Sequence, residues 1–174
     1  MKKLMFLVLV LALVFGISSG TVFAQSTASI DATANVYAEV IQAFDVANVD
    51  GEDLDFGTLA ASADTGGTIT VTAGGTSSTS NIPYHDGLVS AAQFEITGGY
   101  TGSGILYTVD LPDSVTIFDG TDTYSMLVNG FTDNADNLIT TTSEIFSVGA
   151  TLNVGAGQEP GIYSGEFTVT INFE

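Results

Sequence analysis

Few kinds of reactive side chain are present. Beyond Lys3 there is no lysine or arginine, and the chain has neither cysteine nor tryptophan. Its one histidine, His85, stands in Pro83-Tyr84-His85-Asp86-Gly87. A Ser-His-Asp hydrolase would have to use that imidazole, with an acid to orient it. Pro83 and Gly87 instead frame the histidine as part of a turn, and no Gly-x-Ser-x-Gly elbow presents a serine to it. Zinc draws on histidine and cysteine together, so one histidine alone cannot supply the usual ligands. Carboxylate is the abundant group, with 20 Asp and Glu. Two carboxylates about 5–10 Å apart in a cleft can hydrolyse a glycosidic bond, but no tryptophan offers the aromatic platform of a sugar cleft. Calcium takes hard oxygen ligands from flexible loops. Asp50, Glu52, Asp53 and Asp55 crowd one segment, and Asp133, Asp136 and Asn137 crowd another. Neither has EF-hand spacing, and solvated turns collect acids in the same way. Calcium is thus the one cofactor the sequence leaves open; otherwise none is expected, and no catalytic residue is assigned.

The acids have almost no counterpart. Lys2 and Lys3 open a segment that reads as a secretory signal peptide, residues 1–24. Leu4 to Ile17 is apolar, Ser18-Ser19-Gly20 loosens the run, and Val22-Phe23-Ala24 sets small residues before a cleavage site. The run is short for a bilayer, which argues against an uncleaved anchor. Export to the periplasm, cell surface or exterior follows. The expected mature chain, residues 25–174, forms a single domain and keeps 20 acids against no Lys or Arg, a formal charge of −20. Such a surface excludes nucleic acid held by phosphate neutralisation, and it excludes attraction to anionic lipid. No second apolar run is long enough for a membrane-spanning helix. Without cysteine, stability rests on burial and sheet hydrogen bonds, opposed by self-repulsion that salt would screen.

These residues must be carried by strands. Residues 28–40, ASIDATANVYAEV, alternate Ile30, Ala32, Ala34, Val36 and Val40 with mostly polar neighbours. Further strands are predicted around Leu54 to Leu59, Ile69 to Ala73, Ala92 to Ile96, Ile105 to Leu111, Val115 to Ile117, Tyr124 to Val128 and Phe146 to Val154. Residues 74–87 and 132–137 read as loops. Gly161 to Glu174, GIYSGEFTVTINFE, reads as one last strand, with Tyr163, Phe167, Val169, Ile171 and Phe173 on one face. No segment has a helical period. The fold class is all-β, an immunoglobulin-like antiparallel sandwich of about eight to ten strands. An outer-membrane barrel needs strands of about 9–11 residues, longer than several of these.

The stretches 53–60, 66–75, 91–98, 107–112, 146–154 and 158–174, in this order and spacing, resemble a family of bacterial secreted all-β domains of unknown function, read as pilin- or fimbrial-subunit-like. The match spans roughly residues 28–174. The ends also resemble fimbrial subunits of the chaperone–usher route, which have a glycine fourteen from the C-terminus and a next-to-last aromatic. Gly161 and Phe173 hold those places, although tyrosine is more usual at the second and many such subunits carry a cysteine pair. The resemblance implies an assembly in which one subunit's N-terminal strand completes the sandwich of the next, served by a periplasmic chaperone and an outer-membrane usher.

The expected function is therefore a secreted, non-enzymatic structural subunit of a fimbria-like or other surface assembly, used for adhesion or matrix and partnered by copies of itself or related subunits. Its assembly residues would be Ile30, Ala32, Ala34, Val36, Val40, Gly161 and Phe173. Two arrangements fit strand 28–40: it joins a neighbour, or it folds back into its own sandwich. The alternative function is a monomeric extracellular module that takes calcium or glycan through its acidic loops.

Overall fold

The computed structural model describes residues 32–99, 102 and 104–174. Residues 1–38 and 39–174 are separate units. The expected signal peptide, together with residues 28–31 and hence Ile30, lies outside the described residues. Of the first unit, residues 32–38 belong to no strand.

The second unit is all-β, an antiparallel sandwich with no helix among the described residues. Its organising strand is β11 (Ser143–Val154), whose alternation buries Phe146, Val148, Ala150, Leu152 and Val154. The first half of β11 pairs with β6 (Ala92–Thr97), from Ser143↔Thr97 to Val148↔Ala92. The second half pairs on the same edge with β3 (Gly67–Val71), which in turn pairs with β4 (Ser77–Ser80). Along the other edge of β11 runs β9 (Ser125–Asp133), followed by β8 (Ser114–Asp119) and the two-residue β12 (Tyr163–Ser164). Outside β6 lies β1 (Asp45–Asn48). A smaller sheet orders β10 (Leu138–Ile139), β7 (Ile105–Asp110) and β13 (Thr170–Phe173). A ribbon joins β2 (Thr58–Ala60) to β5 (Tyr84–Asp86).

The large sheet is covered in two places. Over the second half of β11, Ile69, Met126, Val128, Leu152 and Val154 pack against Leu54, Phe56 and Leu59, and against Ile82 and Val89. Over its first half, Ile96, Phe146 and Val148 meet Tyr107 and Ile139 of the small sheet, with Val109, Phe167, Val169 and Ile171 around them. Phe131 touches both clusters. It can do so because β9 bulges: Gly149↔Thr132 is followed by Thr151↔Asn129, so Gly130 and Phe131 stand opposite Ala150 alone. Gly130 has φ +62°, the left-handed conformation that a bulge of this kind favours in glycine. The extra residue turns Phe131 back toward the interior.

The antiparallel all-β reading holds, but several boundaries differ. Residues 32–40, expected within a strand, pair with no strand among the described residues. Residues 74–87, expected as a loop, contain β4 and β5. Ser77–Ser80 has no apolar alternation to betray it, and its register is set by β3. The expected single strand from Gly161 to Glu174 is divided: Tyr163 and Ser164 pair with β8 of the large sheet, whereas Thr170–Phe173 pair with β7 of the small one. Residues 165–169 between them belong to no strand. Tyr163, Phe167, Val169 and Ile171 are still half-buried on one face, because a period of two reports which side is covered and not which backbone lies alongside.

Candidate functional site

The residues expected to mediate assembly fall in two places. Ala32, Ala34, Val36 and Val40 are all exposed, Val36 at 92% and Val40 at 94%. Tyr37 is 87% exposed between them. For branched apolar side chains this is a costly placement, since full burial of each valine is worth about 1.5–3 kcal/mol.

The second place is the edge of the small sheet. β13 pairs with β7 on one side, from Thr170↔Asp110 to Phe173↔Tyr107, and is the last strand on the other. Its outer row of N–H and C=O groups pairs with no strand among the described residues, and residues 165–169 extend that unpaired stretch. Phe173 stacks on Phe44 with ring centroids 3.7 Å apart and planes 18° from parallel, and also lies 6.4 Å from the Tyr107 ring. It keeps 37% of its surface exposed. Gly98 and Gly99 allow Phe44 to reach it. Both have positive φ, and a Cβ at Gly99 would overlap the Phe44 ring while one at Gly98 would overlap the Ala43 carbonyl. Gly161 has no such constraint: it is exposed, and a Cβ there would make ordinary contacts of 3.6 Å with Tyr163 and 3.7 Å with Asp119.

Phe44 is the residue that sequence reasoning missed. Its signal was present, because Phe44 and Val46 alternate with Asp45 and Ala47, and Val46 pairs with the buried Ile96.

The acids do not gather. Among the described residues no three Asp, Glu or His side chains are placed to share a metal ion. The Asp50–Asp55 segment instead runs alongside β6 and Ser90. The Glu52 carbonyl accepts from the Gln93 N–H at 2.9 Å, and the Asp53 carbonyl accepts from Ser90 Oγ at 2.6 Å. Asp55 exchanges backbone bonds with Ser90 and accepts the Gly57 N–H on Oδ1 at 2.7 Å. In the other segment Asp133 Oδ1 accepts the Ala135 N–H at 3.0 Å, and the Asp136 N–H donates to Glu144 Oε1 at 3.3 Å. The side-chain bonds of Asp55 and Asp133 close local turns, and the others tie the two segments to β6, Ser90 and β11. His85 is part of β5, and its Nε2 lies 3.0 Å from the Phe56 carbonyl, a contact that ties the ribbon to the loop before it.

Three groups have shifted ionisation. The pKa of Asp86 is lowered, first by the Gly87 N–H and then by the Tyr84 hydroxyl, which donate to its carboxylate. Tyr107, buried between the sheets, donates its hydroxyl to Glu144 Oε1 at 2.6 Å. Burial first, and then the bond and the negative charge of Glu144, push its pKa well above the ordinary tyrosine range. Glu144 Oε2 is buried with no partner among the described residues. On the surface, Asp119 accepts from Thr121 Oγ1 and from the N–H groups of Thr123 and Tyr124, closing the β8–β9 turn. Those bonds lower its pKa, the Thr121 hydroxyl most.

The region bounded by the Phe44–Phe173 stack is also the region of recognisable sequence. Residues 44–173 match the domain of unknown function DUF4402. The chain belongs to the DUF4402 family. No curated protein and no solved structure matches it. The DUF4402 match begins at one partner of the stacked pair and ends at the other, and it leaves the exposed apolar residues 32–40 outside.

Proposed function

We propose that this DUF4402 protein is an exported, non-enzymatic structural subunit of a fimbria-like or other surface assembly, for adhesion or matrix, built by β-strand donation between copies. One observation carries the reading: Val36 and Val40 stand almost fully exposed in a segment that joins neither sheet. The unpaired edge at β13 is the complementary support. An open sheet edge is an aggregation hazard in a monomer and a joint in a polymer. Adding a strand to it would satisfy backbone groups on both partners, with apolar side chains seated alternately. Copies of this chain or related subunits would be the partners, and the pilin-like resemblance implies a periplasmic chaperone and outer-membrane usher to deliver them. The segment 1–24 would direct export.

The test compares the protein purified after full-chain expression with a Val36→Asp/Val40→Asp variant, using light scattering and negative-stain imaging. Oligomers or fibres are expected from the parent. Monomers with an unchanged thermal midpoint are expected from the variant. A parent that stays monomeric at every concentration and salt, or a variant that loses its fold, would end this reading.

A further inference from the structure

We infer that two copies of this chain pair edge to edge through β4, antiparallel about a two-fold axis at Ser78. β4 is joined to β3 alone, and all four of its residues are exposed. An edge strand is ordinarily kept from such pairing by a charge, a proline or a bulge. Every other described strand with a single neighbour has an acid inside it or within three residues of it: Asp45 in β1, Asp55 before β2, Asp86 in β5, Asp136 before β10, Glu166 after β12 and Glu174 after β13. β4 has none. No Asp or Glu occurs between Asp64 and Asp86, Pro83 lies beyond the strand, and the register with β3 runs without a bulge from Thr68↔Ser80 to Val71↔Ser77.

The hairpin fixes which backbone groups of β4 are free. The Thr72 N–H donates to the Thr76 carbonyl at 2.9 Å, so Thr72 and Thr76 are a bonded pair across the two strands. Antiparallel pairs alternate between bonded and non-bonded. Val71↔Ser77 and Ile69↔Thr79 are therefore non-bonded pairs, and the N–H and C=O groups of Ser77 and Thr79 point away from β3. Two copies can then exchange four backbone bonds, Ser77 with the partner's Thr79 and Thr79 with the partner's Ser77. No other two-fold register keeps both bonded pairs inside the strand. Centring on Ser77 would draw in Gly75, which has φ +76° in the turn, and centring on Thr79 would draw in Asn81, whose φ of +54° leaves the strand.

Charge permits a second copy at this edge. The stretch from Gly74 to Pro83 brings no carboxylate to its mate, although the chain carries 20 acids. The acids outside it are screened beyond about 8 Å at physiological salt, so the pairing should strengthen as NaCl rises to that strength. This inference does not depend on strand donation, which would use residues 32–40 and the β13 edge.

Four backbone bonds make a short contact that dissociates on dilution, so the test traps it covalently in a chain that has no cysteine of its own. Ser78 and the partner's Ser78 would be a non-bonded pair with Cα atoms about 4.5 Å apart, within the span of a disulfide. Ser80 would lie about 14 Å along the strand from the partner's Ser80, out of reach. Each cysteine variant is made in the Val36→Asp/Val40→Asp background, which disables strand donation, then purified after full-chain expression and oxidised. Ser78→Cys is expected to give a disulfide-linked dimer, and Ser80→Cys, also exposed, to stay largely monomeric. Thr79→Pro, added to Ser78→Cys, removes one outward N–H from each copy and spares the β3 ladder. It should slow the trapping about tenfold or more, the scale of losing two hydrogen bonds. Ser77→Asp, which adds charge and leaves the backbone groups in place, should act in the same direction. Where the double-aspartate background does not fold, the same variants in the parent chain give the comparison, because a disulfide at residue 78 reports this contact alone. The inference is overturned if Ser78→Cys is trapped no faster than Ser80→Cys, or if neither Thr79→Pro nor Ser77→Asp slows it.

Discussion

The two halves of the sandwich solve the same problem differently. Over the second half of β11 the core is mainly aliphatic, and it is closed by the β2–β5 ribbon and its flanking loops. Over the first half it is aromatic, with Phe94 stacked 5.7 Å from Phe146 and in edge contact with Phe167, and it is closed by a three-stranded sheet with a free edge. The aliphatic half is capped by a two-stranded ribbon that has edges of its own. The other spends large side chains on a margin that still exposes Phe173. Burial and pairing are therefore separable: a face can be covered while its backbone stays available.

The contrast is broken most directly by truncation. Leu152→Ala, in the closed half, should cost about 2–5 kcal/mol in urea unfolding. Phe173→Ala, at the margin, should cost about 0.5–1.5 kcal/mol through loss of its aromatic contacts. Equal costs would mean that the margin is core.

Tyr107→Phe probes the seam where the small sheet meets β11. Losing the bond to Glu144 should cost about 1–3 kcal/mol at neutral pH. The parent should also lose stability as the pH rises beyond the ordinary tyrosine range. Tyr107 holds its proton in the folded state while the unfolded chain releases it, so alkali favours unfolding. The variant should lack that alkaline component; if it keeps the same decline, the Tyr107 linkage is wrong.

Screening acts on both halves at once. Raising NaCl from low to physiological strength should raise the thermal midpoint, because like charges then repel less. A midpoint that stays put would remove self-repulsion as a significant term.

The smallest effect should come from the β8–β9 turn. Asp119 has a lowered pKa in the fold, so its contribution is present above the ordinary aspartate value and is lost as the pH falls through the folded one. Asp119→Ala should slightly lower the midpoint at neutral pH and flatten the acid limb. A variant that follows the parent's acid limb would argue against that turn as a source of acid sensitivity.

The sequence by itself determined the class of structure and the faces of its strands. Alternation in Phe146 to Val154 and in Tyr163 to Ile171 predicts which side chains turn inward, because the pleat enforces it wherever one face is covered. Composition likewise settled what the surface cannot neutralise. The tertiary structure decided the pairings. Only there does the run after Gly161 leave one sheet for the other, Ser77–Ser80 become a strand, and Phe44 meet Phe173. The same holds for the acids of residues 50–55, which are close in sequence but are drawn out along β6 instead of around a common point. The physical reason is that local sequence encodes a residue's preference for water or interior, whereas a backbone partner is chosen by whichever distant strand can bury that interior face with it.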